Sequence, residues 1–259
     1  MPSEKPTASP QIVTAAILVI GDEILSGRTK DKNIGYIAGY LTALGIDLRE
    51  VRVVPDIEEE IVAALNALRA RYDYVFTTGG IGPTHDDITA DCVAKAFGVP
   101  LNFHPEAVAL MKERLAKTGG ELNEARMRMT RIPDGAQLVA NKVSGAPGFW
   151  IGNVIVMAGI PAVMQGMLDD AGPKLKGGIK LMSETIRADA KEGDVGTALG
   201  EVAKAHPDTI IGSYPFIDDK LGTPNTNIVV RSRDAAKLAV AKGAVEEMLK
   251  KVKAQIANT

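Results

Sequence analysis

The chain has 259 residues, of which 46% are hydrophobic and 24% charged, and its formal net charge is −2. This composition indicates a globular protein with one large and one small domain, and the charge offers no basic field for nucleic acid or anionic lipid. No apolar stretch approaches the roughly 20 residues of a membrane span, and the single cysteine, Cys92, excludes an internal disulfide. A single cysteine suits a reducing compartment, so we expect a cytoplasmic protein whose partner is neither nucleic acid nor a membrane.

The first strongly apolar segment is residues 14–20, after a polar lead-in of residues 1–11 that we expect to be disordered. Its run of Ile and Val predicts a strand that is buried on both faces. Gly21-Asp22-Glu23 follows and opens a long polar connection that reaches Asn33. Apolar residues at helical spacing then predict a helix that Gly45 closes.

Two further strands are predicted at residues 48–54 and 73–78. Asp56 follows the first of them and precedes an apolar helical stripe. Without a functional role, Asp56 would therefore be explained as the N-cap of that helix. Alternation of strands and helices predicts a parallel sheet with right-handed crossovers, and ligands of such sheets bind beyond the carboxyl ends of the strands. We expect the segments after the three strands to meet at that edge.

The third strand leads into a glycine loop, Gly79-Gly80-Ile81-Gly82-Pro83-Thr84-His85-Asp86-Asp87. Its glycines permit positive φ and close approach of a ligand to the backbone, and the following helix points free N–H groups at the loop, which favours an anion. Adjacent aspartates repel phosphate but suit a divalent cation that bridges to it, either Mg²⁺ or a softer transition ion. The alternative is purely structural, because Thr84-x-x-Asp87 also fits a capping box.

The rest of the large domain contains a helix that starts at Pro105 and a short helix at residues 123–129. The short helix carries Arg126 and Arg128, and a third arginine, Arg131, follows it. They form either a solvated basic face or a set that reaches a phosphate. Strands are predicted at residues 136–140 and 149–157, the second broken by a Gly152-Asn153 turn.

A Gly/Pro-rich stretch at residues 172–178 marks a boundary. It divides the chain into a domain at residues 12–176 and another at residues 177–259. The order of patterns in the second domain predicts a small α+β unit, βαββα, with antiparallel pairing.

The motif at residues 78–89, with Gly21-Asp22-Glu23, Val54-Pro55-Asp56 and Ala146-Pro147-Gly148 in the same order, resembles the MoaB/Mog-like molybdopterin-binding fold family. The similarity is greatest to the CinA branch and to the molybdopterin-binding-like domain of FAD synthases. The resemblance implies a three-layer αβα sandwich with a mostly parallel sheet, in a homo-oligomer. The chain departs from Mog-type proteins at Ala158-Gly159, where they have Pro-Gly, and from many CinA proteins at His85, where they have lysine.

The resemblance implies two activities and leaves a third possibility open. The CinA and FAD-synthase branches are associated with metal-dependent hydrolysis of nucleotide diphosphates such as ADP-ribose or FAD, which the aspartate doublet favours. Mog-type members bind or adenylylate molybdopterin, with aspartates at the positions of Asp56 and Asp87. A non-enzymatic binding scaffold is the third hypothesis.

The predicted site combines the residues of these motifs. Asp87, Asp56 and Glu23 are the candidate catalytic residues, and Asp86 and Asp87 the candidate metal ligands. The candidate ligand-binding residues are Gly21, Asp22, Ser26, Asn33, Thr78, Gly79, Gly80, Gly82, Pro83, Thr84, Ser144, Gly145, Gly148 and Gly159.

Overall fold

A computed structural model describes residues 11–220 and 222–257, with no side-chain description at residue 257. The predicted disordered lead-in falls, apart from Gln11, outside the described residues. The chain forms two compact units that divide between Gly178 and Ile179, close to the expected boundary after residue 176.

The first unit is built on a six-stranded sheet. Its strands are β1 (Val13–Ile20), β2 (Ile46–Val54), β3 (Tyr74–Thr78), β6 (Gln137–Val139), β7 (Gly148–Ile151) and β8 (Val154–Met157), and a separate antiparallel pair is formed by β4 (Leu101–Phe103) and β5 (Arg131–Pro133). The helices are α1 (Asp22–Leu25), α2 (Asn33–Ala43), α3 (Glu58–Arg71), α4 (Thr89–Phe97), α5 (Pro105–Thr118), α6 (Glu124–Arg128) and α7 (Pro161–Ala171).

The strand order in the large sheet is β2-β1-β3-β8-β7-β6. The pairs β1–β2, β1–β3 and β3–β8 are parallel, whereas β7 runs antiparallel to both β8 and β6. The mostly parallel sheet expected from the sequence is confirmed. The β4–β5 pair was not expected, because three-residue strands are too short to show an alternating pattern.

Helices cover both faces of this sheet. Alternate residues of β1 enter opposite cores, since side chains of a strand point to opposite faces. Leu18 packs in the core with α3 and α4, and Ile17 in the core with α2 and α7. Both side chains have no exposed surface. The three-layer αβα sandwich is therefore confirmed, as is a first strand buried on both faces.

The second unit is a three-stranded antiparallel sheet with two helices. Its elements follow the expected order βαββα, and the central strand of the sheet is the last one in sequence. Ile228 and Val230 of that strand are fully buried in a core formed with the two helices. The elements are β9 (Met182–Arg187), α8 (Glu192–Ala205), β10 (Ile210–Ile217), β11 (Pro224–Ser232) and α9 (Ala235–Ala257).

No described helix, in either unit, is long and apolar enough to cross a membrane.

Candidate functional site

The carboxyl ends of the parallel strands lie level with one another. Ile20 pairs with Val54, and Thr78 pairs with both Val19 and Met157. The segments that follow these strands therefore start at the same edge of the sheet. Because β7 is antiparallel to β8, the loop that precedes β7 reaches this edge as well.

The glycine loop is held against β1 and α4 by its own backbone. Gly79 has φ 105°, and a Cβ at this position would lie 2.0 Å from the carbonyl oxygen of Ile20. Gly80 has φ 66°, and its Cβ would lie 2.1 Å from Oγ1 of Thr89. Contacts within the fold therefore already require glycine at both positions, and their role in ligand binding stays a prediction.

Thr89 connects the loop to the start of α4. Its N–H donates to the carbonyl of Gly80 at 3.0 Å, and its buried hydroxyl donates to the carbonyl of Gly79, also at 3.0 Å. The loop itself thus occupies part of the helix N-terminus that the sequence assigned to an anion.

Asp87 closes a turn within the loop. Its Oδ2 accepts a hydrogen bond from the Thr84 N–H at 2.8 Å and a second from the Thr84 hydroxyl. A Cβ on Gly82 would lie 2.6 Å from the same oxygen, so Gly82 leaves room for the carboxylate. This turn ends before α4 begins at Thr89, so Thr84 is not the N-cap of α4. Pro83 lies exposed in the same turn.

Asp56 does not cap α3, contrary to its structural interpretation. The N-cap of α3 is Ile57, and Oδ2 of Asp56 accepts from the backbone N–H of Asp22 at 2.9 Å. This hydrogen bond joins the segment after β2 to the segment after β1. The predicted helix α3 is present, but the Asp56 carboxylate binds the Asp22 N–H rather than an N–H of that helix.

Three other predicted carboxylates lie near enough to Asp56 to repel its negative charge. Burial raises the pKa of Asp56, and repulsion by Asp22, Glu23 and Asp86 raises it further, while the Asp22 N–H partly offsets the shift. Polar contact with the Thr84 side chain and with the backbone N–H of Asp86 itself holds the pKa of Asp86 below its ordinary value. The edge of the sheet therefore carries concentrated negative charge.

A cavity of about 210 Å³ opens beside this cluster, on the face covered by α2 and α7. Five predicted residues line it: Glu23, Asn33, Thr78, Gly79 and Gly159. Asn33 is buried and donates through Nδ2 to the carbonyl of Gly159 at 2.8 Å. Oδ1 of Asn33 and Oγ1 of Thr78 are buried without a hydrogen-bond partner in the described part of the chain, so both are available to a ligand.

The same cavity is lined by residues that sequence reasoning missed, namely Thr29, Lys30 and Lys32. Both lysines are exposed, and they add positive charge to the same lining that contains Glu23. The signal that could have identified them is their position in the long polar connection between β1 and α2. Within this connection Asp31 holds the start of α2, accepting from the Asn33 and Ile34 N–H groups at 3.1 and 2.9 Å.

Other predicted residues have structural roles near the edge. The buried Gly21 leaves room for Glu23, whose Oε2 would lie 2.5 Å from a Cβ at Gly21. Ser26 is exposed, and its N–H donates to the Asp22 carbonyl at 2.9 Å. Gly148 packs on β8, where its Cβ would lie 2.3 Å from the Val156 carbonyl, so the fold itself requires glycine here and a role in ligand binding stays a prediction.

The loop before β7 is organised by a buried asparagine that the sequence did not reveal. Asn141 donates to Oγ of Ser144 at 2.6 Å and to the Ala146 carbonyl at 3.0 Å. Gly145 of this loop has φ 83° and lines a groove of about 340 Å³ beside α5. Ser144 and Gly145 thus lie outside the 210 Å³ cavity.

The donor set fits a divalent cation only in part. No group of three or more His, Cys, Asp or Glu side chains in the described ranges is arranged to hold a metal ion. Mg²⁺, however, usually takes one or two carboxylates and completes its shell with water and substrate phosphates. The unneutralised acids around Asp56 fit a cation that arrives with a phosphate ligand, and do not fit a metal bound by protein alone.

Residues 16–177 match the family described as a probable molybdopterin binding domain. The chain belongs to this family. Residues 180–257 match a second family, the middle domain of FAD synthase. These matches confirm the resemblance to the MoaB/Mog-like proteins and to their CinA and FAD-synthase branches.

Relatives and a solved structure agree with this assignment. A protein of Caldivirga maquilingensis is 39% identical over 62% of this chain, and a CinA-like protein of Anaeromyxobacter dehalogenans is 35% identical over 60% of it. The match spans 65% of the first relative and 39% of the second. A CinA protein of unknown function from Thermoplasma acidophilum, 33% identical, superposes with a TM-score of 0.58 over 63% of this chain and 98% of its own.

Proposed function

We propose that the chain is a metal-dependent pyrophosphatase that hydrolyses a nucleotide diphosphate of the ADP-ribose or FAD type. The observation that carries the proposal is the crowding of Asp22, Glu23 and Asp86 around Asp56, next to the glycine loop. Carboxylates repel phosphate, so a diphosphate binds here only together with a divalent cation. The match of the second unit to FAD synthases supports FAD as one candidate substrate.

The cation would be held by Asp86 and Asp87, and it would neutralise the diphosphate. Asp86 is exposed, and Oδ1 of Asp87 has no hydrogen-bond partner in the described part of the chain, so both carboxylates have an oxygen to offer. The phosphate oxygens and water would complete the coordination shell.

The chain's own residues would position the substrate and move a proton. Oδ1 of Asn33 and Oγ1 of Thr78 would bind polar groups of the substrate in the 210 Å³ cavity. Asp56 or Glu23 would accept a proton from a water molecule while the oxygen of that water bonds to phosphorus. The bridging oxygen then leaves, and two phosphate monoesters result. The raised pKa of Asp56 brings this carboxylate closer to the range in which a general base works at neutral pH.

The second candidate is binding or adenylylation of molybdopterin, which the description of the matched family favours. The pterin phosphate would take the place of the diphosphate. Asp56 and Asp87, at the same edge of the sheet, would coordinate Mg²⁺–ATP or the dithiolene end of the pterin. A non-enzymatic scaffold would bind one of these ligands without turnover. A homo-oligomer stays a prediction for each of the three, and light scattering after size exclusion would test it.

The test is incubation of the purified chain with ADP-ribose, FAD and NAD, each with Mg²⁺, Mn²⁺ or Co²⁺, followed by chromatography of the nucleotides. We expect AMP from ADP-ribose or FAD, and loss of this product with a chelator or in Asp86→Asn. The matched control is Asp73→Asn, at the opposite edge of the same sheet, where Asp73 binds the Thr14 N–H and hydroxyl at 2.7 Å. This variant should keep full activity.

Absence of a phosphate monoester with every substrate and metal would contradict hydrolysis. Binding of molybdopterin by the same preparation would then support the second candidate.

A further inference from the structure

We propose that Arg128 is an anion-binding residue of the site, donating to a phosphate oxygen of the ligand held on the glycine loop. The proposal rests on the proposed function for the identity of that ligand and on the structure for the residue. Arg128 ends α6 and lines a small cavity with Gly80, Gly82 and Asp87. The water-accessible volume of this cavity is about 10 Å³. It has room for one oxygen atom of a ligand and not for a whole nucleotide.

Arg128 has no structural partner in the described part of the chain. Its Nε is buried without a hydrogen bond, and its guanidinium forms no ion pair. A guanidinium carries five N–H donors. A donor that is buried without an acceptor has lost its hydrogen bonds to water and gained none in return, which destabilises the fold. Arg128 as a whole is half-buried, but its buried Nε–H without an acceptor requires an explanation.

The neighbouring arginines are committed to the fold. Arg131 forms a bidentate pair with Asp91 of α4, with both N···O distances at 2.8 Å. Arg126 donates through Nη1 to the Glu121 carbonyl at 2.6 Å. Nε of Arg131 is also buried without a partner, but both of its Nη groups are held by Asp91. Of the three arginines in this segment, Arg128 is therefore the one whose guanidinium has no hydrogen bond or ion pair among the described residues.

The position of Arg128 favours an oxygen of phosphate as its partner. The small cavity lies on the face of the sheet covered by α4, whereas the cavity lined by Glu23 lies on the opposite face. The Arg128 guanidinium and the Glu23 carboxylate therefore lie on opposite sides of the glycine loop. A guanidinium offers parallel N–H groups whose geometry matches phosphate oxygens, and its attraction to phosphate is greatest where water is excluded.

The experiment measures binding of inorganic pyrophosphate and of ADP-ribose, with Mg²⁺, by calorimetry. We expect Arg128→Met, which keeps an apolar stem but removes the charge, to weaken binding of both about 10- to 100-fold. Arg128→Lys should show a smaller loss, since lysine keeps the charge without the fork. The matched control is Arg126→Met on the same helix, which should bind within about twofold of wild type.

Stability separates this role from a structural one. Removal of an unpaired donor should leave the melting temperature of ligand-free Arg128→Met at or above that of wild type, whereas a structural arginine would lose stability. If Arg128→Met failed to fold, that result would itself overturn the proposal, and Arg128→Lys would still report on the charge.

The outcomes distinguish Arg128 from the proposed function. Wild-type affinity in Arg128→Met, or no pyrophosphate binding by the wild type, would overturn the role of Arg128. Hydrolysis by a variant with unchanged affinity would leave the pyrophosphatase proposal standing. Pyrophosphate binding that depends on Arg128, without turnover of any dinucleotide, would support Arg128 and contradict hydrolysis.

Discussion

Replacement of Asp56 by asparagine should stabilise the metal-free protein and reduce its activity. The amide keeps an oxygen that can accept the Asp22 N–H, now held at 2.9 Å, so the link between the segments after β1 and β2 survives. It removes a charge that Asp22, Glu23 and Asp86 repel. Ile57, rather than Asp56, is the N-cap of α3, so no cap is lost.

The sign of the effect follows from the pKa of Asp56, which is higher in the folded protein than its ordinary value of 3.8. Ionisation of Asp56 is therefore less favourable in the folded state, and it reduces stability as the pH rises above that value. Asparagine escapes this loss. We expect a gain at pH 7 of no more than about 1 kcal/mol, or about 2–4 °C in Tm for a unit of this size.

The assay is thermal unfolding of wild type, Asp56→Asn and the control Asp73→Asn, with a chelator present, at several pH values. The advantage of Asp56→Asn should shrink as the pH falls through the raised pKa of Asp56, and it should vanish below the ordinary value of 3.8, where the wild-type carboxyl group is protonated in both states. Asp73→Asn should show no gain at pH 7. A lower Tm for Asp56→Asn at pH 7, or an advantage independent of pH, would refute the electrostatic reasoning.

Three further outcomes are expected. Asp87→Asn should keep its Tm within about 2 °C of wild type, because the amide oxygen still accepts the Thr84 N–H. The variant should lose metal-dependent turnover, and full activity would show that Asp87 only stabilises the turn. Gly79→Ala should destabilise the first unit by about 3 kcal/mol or more in urea unfolding, because its Cβ would lie 2.0 Å from the Ile20 carbonyl oxygen; a near-native midpoint would contradict the close contact. Burial raises the pKa of Cys92 to about 12, so a thiol reagent at pH 8 should label this residue only after denaturation.

The fold could be predicted from the sequence because its main signals are local. Residues 15–20 are apolar at every position, which suits a strand covered on both faces, and every residue of β1 except Thr14 is buried. The Gly152-Asn153 turn likewise marks the β7–β8 hairpin. Such patterns depend only on neighbours in sequence, and tertiary contacts reinforced them here.

The site was harder to predict because its contacts are not local. Asp56 and Asp22 are separated by 34 residues, so the spacing that suggested an N-cap carried no information on the hydrogen bond that forms. Gly148 stands in a loop-like glycine motif, yet the carbonyl of Val156 on the adjacent strand is what excludes a side chain. Asn141 gave no motif at all, although it organises the whole loop before β7.

Valine substitutions at Gly80 and at Gly82 should have different consequences. Gly80→Val would force a Cβ against Thr89, which anchors α4, so a loss of binding in this variant would mix a structural with a functional defect. Gly82 is different, because its φ is not positive and its nearest contact is the carboxylate of Asp87. Gly82→Val displaces the candidate metal ligand and leaves the junction with β1 intact. Of the two, Gly82 is therefore the position at which ligand binding can be lost while the sheet stays folded.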